Sequence, residues 1–367
     1  MKICFYNVTA SFIPGGLETY CWEAGRALAR RGHEVTILAG DRGKAWHDEV
    51  QLVQFPFRVE QDWPDFGTRF RRLMERLSFA RHSLGYLVRS GYDAVIVNKP
   101  FDLPILWQAR RRGLSAQTLF RSGGTDFFVG DRMFAGAVRH WVSASRYNAR
   151  QVEKRYGRKV TVIHNGVDTD AFAPSGRDAE LRHSLGAGPG DLLMVSVSRL
   201  IGWKGTRIVL EALAGMPERV RYAVIGEGPE EQNLRAQVER AGISQRVQFL
   251  GRIRHADLPP ILSQCDLFVQ PSIGEEAFGI SVVEAMACGL PVFASDNGGL
   301  PEIIVEGETG RLLPPGSVPA WRAAIEEAAA APERLRALGD KARARAGAEF
   351  TWAANAAKLE SLFLGGA

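Results

Sequence analysis

Short apolar runs alternate with longer amphipathic stretches along most of the chain. In the first half the runs fall at residues 3–8, 34–39, 51–55, 94–98, 117–120, 141–144 and 160–163. Several are nearly all apolar, as expected of strands in a parallel sheet covered on both faces. The stretches between them read as helices, of which the best bounded covers 17–31 and stops at Gly32. From Leu192 the alternation restarts, with runs at 193–197, 222–225, 247–250, 267–269 and 292–294. This pattern predicts two doubly wound α/β units in tandem. Between them, residues 171–190 hold Pro174, Gly176, Gly186, Gly188, Pro189 and Gly190, the composition of a linker. A last run carries Trp352, Ala356, Leu359 and Phe363 at helical spacing, a stripe able to pack on either domain.

Composition narrows the class. A chain of 367 residues with 46% hydrophobic and 24% charged positions is long enough for two domains that each bury a core. It excludes a disordered chain, a collagen-like repeat and a disulfide miniprotein. Cys4, Cys21, Cys265 and Cys288 are scattered in apolar runs without metal spacing and read as reduced thiols of a cytoplasmic protein. The N-terminal apolar run is too short for a signal peptide, and no stretch approaches the ~18 apolar residues of a transmembrane helix.

Charge changes the picture more. Residues 1–170 hold 26 Lys and Arg against 17 Asp and Glu, a surplus of +9, whereas the remainder stands at −4. A basic half suggests an anionic membrane surface or an acidic acceptor. Nucleic acid ranks last, because no recognised module or aromatic-basic alternation accompanies the charge. Within that half, residues 66–84 carry Phe66, Phe70, Leu73, Met74, Leu77 and Leu84 among Arg69, Arg71, Arg72, Arg76 and Arg81. The segment reads as a surface helix with one face in the core, or as a basic amphipathic element that touches a membrane.

The densest chemistry lies at Pro271-Ser272-Ile273-Gly274-Glu275-Glu276-Ala277-Phe278-Gly279-Ile280, which follows a strand and opens a helix ending at Gly289-Leu290-Pro291. Phe278, Gly279 and Ile280 would present backbone N–H groups at a helix N-terminus, a favourable place for phosphate. Glu284, one turn in, can accept from two vicinal hydroxyls as a ribose-binding carboxylate does. Glu276 stands just before the helix, poised for the hydroxyls of a group attached to that phosphate.

Glu276 and Glu284, flanking Phe278-Gly279 and closed by Ala285-Met286-Ala287-Cys288-Gly289-Leu290-Pro291-Val292, resemble the E-x7-E element of the retaining GT-B transferases of glycosyltransferase family 4. The resemblance runs through the chain. Pro14-Gly15-Gly16-Leu17-Glu18 looks like the family's opening glycine loop, Asn165-Gly166-Val167-Asp168 like its interdomain segment, and Ser198-Arg199-Leu200 with Lys204-Gly205 like its diphosphate site. Val224-Ile225-Gly226-Glu227-Gly228-Pro229-Glu230 and Phe249-Leu250-Gly251 complete the run.

The resemblance implies two Rossmann-like domains facing each other across a cleft, 1–170 on the acceptor side and 171–350 on the nucleotide-sugar side, with a helix at 351–367 returning to the first. Arg199 and Lys204 would neutralise the departing diphosphate, the main electrostatic demand of glycosyl transfer. Gly15 and Gly16 would let phosphate or sugar approach the backbone. Arg252 and Ile253 would hold the base largely through main chain. Asp168-Thr169-Asp170 spells a metal-binding D-x-D, yet within an interdomain segment no metal site is expected, and with two cations present no metal or other cofactor is needed.

One departure concerns the strand ending at Phe120. Many members place a His close to this point, near the sugar's primary hydroxyl, where this chain reads Arg121-Ser122-Gly123-Gly124-Thr125-Asp126. Asp126 or a neighbouring backbone group is the candidate substitute there, and Arg121 a candidate contact to an acidic acceptor or the donor. The expected activity is retaining transfer of a sugar from a UDP- or GDP-linked donor to a glycan or glycolipid hydroxyl in cell-envelope polysaccharide or lipopolysaccharide assembly. The expected location is the cytoplasm, peripheral at the inner membrane face. A sugar-nucleotide epimerase, an inverting transferase with Asp126 as general base, and a silent nucleotide-sugar-binding scaffold are the alternatives.

Overall fold

The computed structural model describes residues 1–13 and 15–365. Pro14 of the expected glycine loop and the last two residues of the 351–367 segment lie outside the described residues. The chain forms two compact units, one made of Met1–Gly166 with Trp352–Ala367, the other of Val167–Thr351. The division therefore falls after Gly166, four residues before the expected Asp170.

Unit 1 is built on a seven-stranded parallel sheet. Its strands are β1 (Lys2–Tyr6), β2 (Glu34–Gly40), β3 (Gln51–Phe55), β4 (Ala94–Val97), β5 (Gln117–Ser122), β6 (His140–Ser143) and β7 (Thr161–Val162), in the order β3-β2-β1-β4-β5-β6-β7. Both faces of β1 are covered, which explains its unbroken apolar run. Phe5 meets Tyr20 of the Gly16–Arg30 helix, whereas its neighbour Tyr6 points to the opposite face, onto Phe79 at 5.1 Å and the Ser83 hydroxyl at 3.0 Å.

The C-terminal helix, Trp352–Phe363, packs along the Gly16–Arg30 helix, with Trp352 against Tyr20 and Leu359 fully buried. Arg31 and His33 engage Glu360, and Gln117 donates to the Phe363 carbonyl at 2.7 Å.

Unit 2 repeats the plan with six parallel strands. They are β8 (Leu192–Val197), β9 (Val220–Ile225), β10 (Val247–Gly251), β11 (Leu267–Gln270), β12 (Val292–Ser295) and β13 (Gly310–Leu313), in the order β10-β9-β8-β11-β12-β13. The edge strand β13 is not foreseen by the sequence pattern. It is short and half-exposed, with Arg311 in its middle.

Residues 171–190 are not a free linker. Phe172, Leu185 and Ala187 are buried, Asp178 caps the Ala179–Ser184 helix, and Arg177 and Arg182 both reach Asp266. The segment's prolines and glycines shape a strap on unit 2, fastened by ion pairs that composition does not reveal.

In each sheet one pair of neighbouring strands sends its outgoing connections in opposite directions: β1 and β4 in unit 1, β8 and β11 in unit 2. The crevice outside the carboxyl ends of such a pair is where doubly wound sheets bind ligands.

Candidate active site

In unit 2 the crevice between β8 and β11 collects most of the expected residues. Arg199 follows β8, is exposed, and has no ion pair among the described residues. Lys204 ends the Gly202–Lys204 turn, with Nζ 2.6 Å from Glu276 Oε1 and 4.6 Å from the centre of the Trp203 ring. Gly205 explains how the two loops meet. Its φ is +72°, and a β-carbon there would come within 1.9 Å of the Pro271 carbonyl oxygen, so only glycine lets the loop after β8 lie on the loop after β11. Ile273 and Gly274 then donate to the Trp203 carbonyl at 2.8 and 3.0 Å.

Glu276 is buried and held firmly. Its Oε1 accepts from Gln270 at 2.9 Å and from Ser272 at 2.6 Å in addition to Lys204. The structure thus pairs two residues expected to act separately, with Lys204 held ready by the carboxylate. Gln270 and Ser272 carry no motif signal of their own. Their alternation about Pro271 at a strand end is the one hint that both could face the same carboxylate.

The Ile280–Ala287 helix opens at Gly279, whose φ of +121° is open to glycine and strained for other residues, and no side chain caps the helix start. Its first N–H groups have no intrahelical acceptor, so they are available to an anion. Phe278 contributes only main chain there, because its ring is buried against Phe350. Glu284, also buried, accepts on Oε1 from His255 Nε2 at 2.6 Å, and the His255 ring lies 5.0 Å from Phe172. His255 is therefore a site residue that sequence reasoning misses, three positions beyond Arg252 at the start of the short His255–Asp257 turn. Arg252 and Ile253 follow β10, Arg252 exposed and Ile253 partly so.

In unit 1 the carboxyl ends of β1, β4 and β5 border a small pocket lined by Leu17, Asn98, Lys99, Pro100, Gly123, Gly124 and Asp126. Gly15 and Gly16 begin the helix at its edge, where Thr9 donates to Glu18 at 2.6 Å. Asp126 Oδ2 accepts from Lys99 at 3.0 Å and from Arg72 at 3.1 Å. Burial pushes its carboxyl upward, but Lys99 and then Arg72 outweigh that and hold it below the usual carboxylate range. A carboxylate so stabilised accepts hydrogen bonds well and is a poor general base.

Arg121 lies in β5 and is buried, its guanidinium 3.9 Å above the Tyr20 ring and bonded to Asn165. Direct contact to a substrate is therefore restricted to its tip, beneath Gly123. The basic helix foreseen at 66–84 runs over Thr68–Arg89, and several of its arginines are engaged internally: Arg76 with buried Asp102, Arg72 with Asp126, and Arg71 with Asp65. Asp168 of the D-x-D pattern caps its own turn, its Oδ1 accepting from the Asp170 and Ala171 amides at 3.1 and 3.2 Å.

Residues 14–171 match the family described as Glycosyltransferase Family 4, and residues 178–345 match Glycosyl transferases group 1. A GDP-mannose-dependent alpha-(1-6)-phosphatidylinositol monomannoside mannosyltransferase of Mycolicibacterium smegmatis is 30% identical, over 98% of this chain and 97% of that protein. A D-inositol 3-phosphate glycosyltransferase of Mycobacterium tuberculosis is 35% identical, over 92% of this chain and 76% of its own length.

Among solved structures, sucrose-phosphate synthase from Thermosynechococcus elongatus superposes with a TM-score of 0.85 at 23% identity, covering 99% of this chain and 98% of that one. Anabaena HepE in complex with UDP and glucose gives 0.83 at 24% identity, covering 99% of each chain. With its two parallel-sheet units and the Arg199, Lys204, Glu276 and Glu284 constellation, the chain belongs to glycosyltransferase family 4 and is a nucleotide-sugar glycosyltransferase of the GT-B fold.

Proposed function

We propose that this enzyme transfers a hexose, with retention of anomeric configuration, from a UDP- or GDP-linked donor to a hydroxyl of a glycan, glycolipid or inositol-bearing lipid of the cell envelope. The observation that carries this reading is the crevice of unit 2. An Arg199 without an ion pair among the described residues, a Lys204 preset by Glu276 and a helix N-terminus without a side-chain cap lie on its bordering loops, the arrangement that a departing diphosphate requires. Arg199 and Lys204 supply the positive charge that a metal would otherwise provide, so the reaction needs no metal. Glu284, oriented by His255, binds the ribose; Arg252 and Ile253 lie beside the base; Glu276 meets the sugar.

In the step proposed, the bond between C1 of the sugar and the β-phosphate oxygen breaks as the acceptor oxygen bonds to C1 on the same face. The departing phosphate takes the acceptor proton. Retention by this route needs no carboxylate nucleophile and no general base, consistent with the pairing of Asp126 by Lys99 and Arg72.

Lys204→Ala and Arg199→Ala should each lower the rate constant for transfer by roughly 10²- to 10³-fold. Near-normal rates in both would overturn the assignment. Glu276→Ala should impair transfer more than nucleotide binding and Glu284→Ala the reverse, which calorimetry with UDP and GDP separates.

The acceptor side belongs to unit 1, and a peripheral stay at the cytoplasmic face of an anionic membrane fits its +9 surplus. Exposed Phe66, Val129 and Met133 beside Arg69 and Arg132 support this reading. Among the described residues no helix is long and apolar enough to cross a membrane.

A further inference from the structure

Arg121 stands out among the buried polar side chains of unit 1 because it carries a charge. It is 2% exposed, and among the described residues no carboxylate pairs with it; Asn165 accepts from one nitrogen, and Nε has no partner. A buried guanidinium without a counter-charge is costly, so an unbalanced one calls for an explanation.

Its surroundings point to one. Nη1 lies directly beneath Gly123, where a β-carbon would come within 2.9 Å of it and 3.2 Å of Leu17. Gly123 lines the pocket together with Leu17, Asn98, Lys99, Gly124 and Asp126, and its lack of a side chain leaves the buried charge directly behind that lining.

A second, independent observation comes from the opposite wall. Asn98 is 2% exposed and lines the same pocket; its Oδ1 accepts from the Cys21 thiol at 3.3 Å, and its Nδ2 donor has no partner. The nearby carboxylates are already answered, Asp126 by Lys99 and Arg72, Glu18 by Thr9. Two buried donors with unused capacity therefore lie at one pocket, Asn98 in its lining and Arg121 behind Gly123, where Lys99, Arg72 and Arg121 outnumber Asp126 and Glu18. Sugar hydroxyls would satisfy Asn98 but leave Arg121 unbalanced.

We propose that this pocket of unit 1 binds an anionic group of a substrate, a phosphate or a carboxylate, with Arg121 as its buried counter-charge and Asn98 Nδ2 as a direct donor. The proposal rests on the reading of the chain as a sugar transferase and adds the charge of what it handles. Two sources supply the same chemistry: a phosphate on the acceptor, or the carboxylate of a uronic-acid donor.

Calorimetry on the full chain separates them. D-inositol 3-phosphate is compared with inositol, and UDP-glucuronate and GDP-mannuronate with UDP-glucose and GDP-mannose. In the wild type, one charged ligand should bind at least tenfold more tightly than its neutral counterpart. Arg121→Gln should reduce that preference to within about twofold while leaving the affinity for the free nucleotide unchanged.

Should Arg121→Gln fail to fold, Gly123→Val, which adds a side chain to that lining from an exposed loop position, takes its place with the same expected loss. No preference for either charged ligand in the wild type, or a preference that survives the substitution, overturns the proposal. Absence of UDP and GDP binding would instead count against the transferase reading, because the nucleotide residues lie in unit 2.

Discussion

Two of the carboxylates at the unit 2 crevice are engaged within the protein itself, and each by a different kind of partner. Glu276 is met by the Lys204 ammonium and by two neutral donors, so its geometry is fixed by a network. Glu284 is held by one imidazole, His255, whose ring also packs against Phe172. Removing that imidazole should leave the carboxylate in place but free to rotate. His255→Ala is therefore expected to raise the KM for the nucleotide sugar about tenfold, the ~1.5 kcal/mol of one charge-assisted hydrogen bond, with kcat within about twofold of wild type. Steady-state kinetics distinguishes this from a folding defect, which would lower active enzyme and kcat with KM unchanged.

Residues of this kind show where the sequence stops being informative. Glu276 and Glu284 are legible because their spacing about Phe278-Gly279 and the following helix forms a pattern. His255, Asn98 and Arg121 gain their significance only from long-range packing, across 29 residues to Glu284 in the first case and 77 to Cys21 in the second. Asp126 was legible as polar and close to a strand end. That Lys99 and Arg72 would hold it ionised depended on elements 27 and 54 residues away.

At the scale of elements, parallel strands with both faces buried announce themselves as apolar runs, and β1, β2, β4, β8, β9 and β12 are read from sequence within a residue or two. The edge strand β13 escapes because one of its neighbours is solvent, and the 171–190 strap misleads because proline and glycine shape a packed loop as readily as a free one. The loops at the strand ends carry the tightest constraint.

Gly205→Ala must place a methyl group against the Pro271 carbonyl in a backbone conformation that costs an L-residue ~1 kcal/mol or more before the clash. Its melting temperature should fall by several degrees, and transfer should fall with it as Lys204 loses register with Glu276. Gly202→Ala, three residues earlier, adds its methyl to open space at an ordinary φ and should melt close to wild type. Differential scanning calorimetry of the two side by side tests whether contact between the loops, rather than glycine content, sets the stability.

The whole molecule shows a different kind of asymmetry, since unit 1 is assembled from both ends of the chain and unit 2 from a single stretch. The fastening of the last helix is partly ionic. Arg31, and after it His33, hold Glu360 below the usual carboxylate range. A carboxyl group with a lowered folded pKa contributes stability that is complete above its unfolded value, near pH 4, and is lost as pH falls through the folded value. Unit 1 should therefore soften on acidification below about pH 4, and Glu360→Gln should flatten that acid limb while lowering stability at neutral pH. Thermal melts between pH 3 and 7, followed by Trp fluorescence, check both. An unchanged acid limb in the variant would remove Glu360 from the explanation.

The same arrangement governs the order of biosynthesis. Strands β1 to β7 leave the ribosome first, yet the face of the Gly16–Arg30 helix that receives Trp352, Ala356 and Leu359 stays uncovered until the Trp352–Phe363 helix emerges. Unit 2, encoded without interruption, can complete its core while that face is still bare. The nascent chain can thus finish unit 2 before unit 1, and a chain stalled on the ribosome short of Trp352 would expose an apolar stripe for chaperones to recognise.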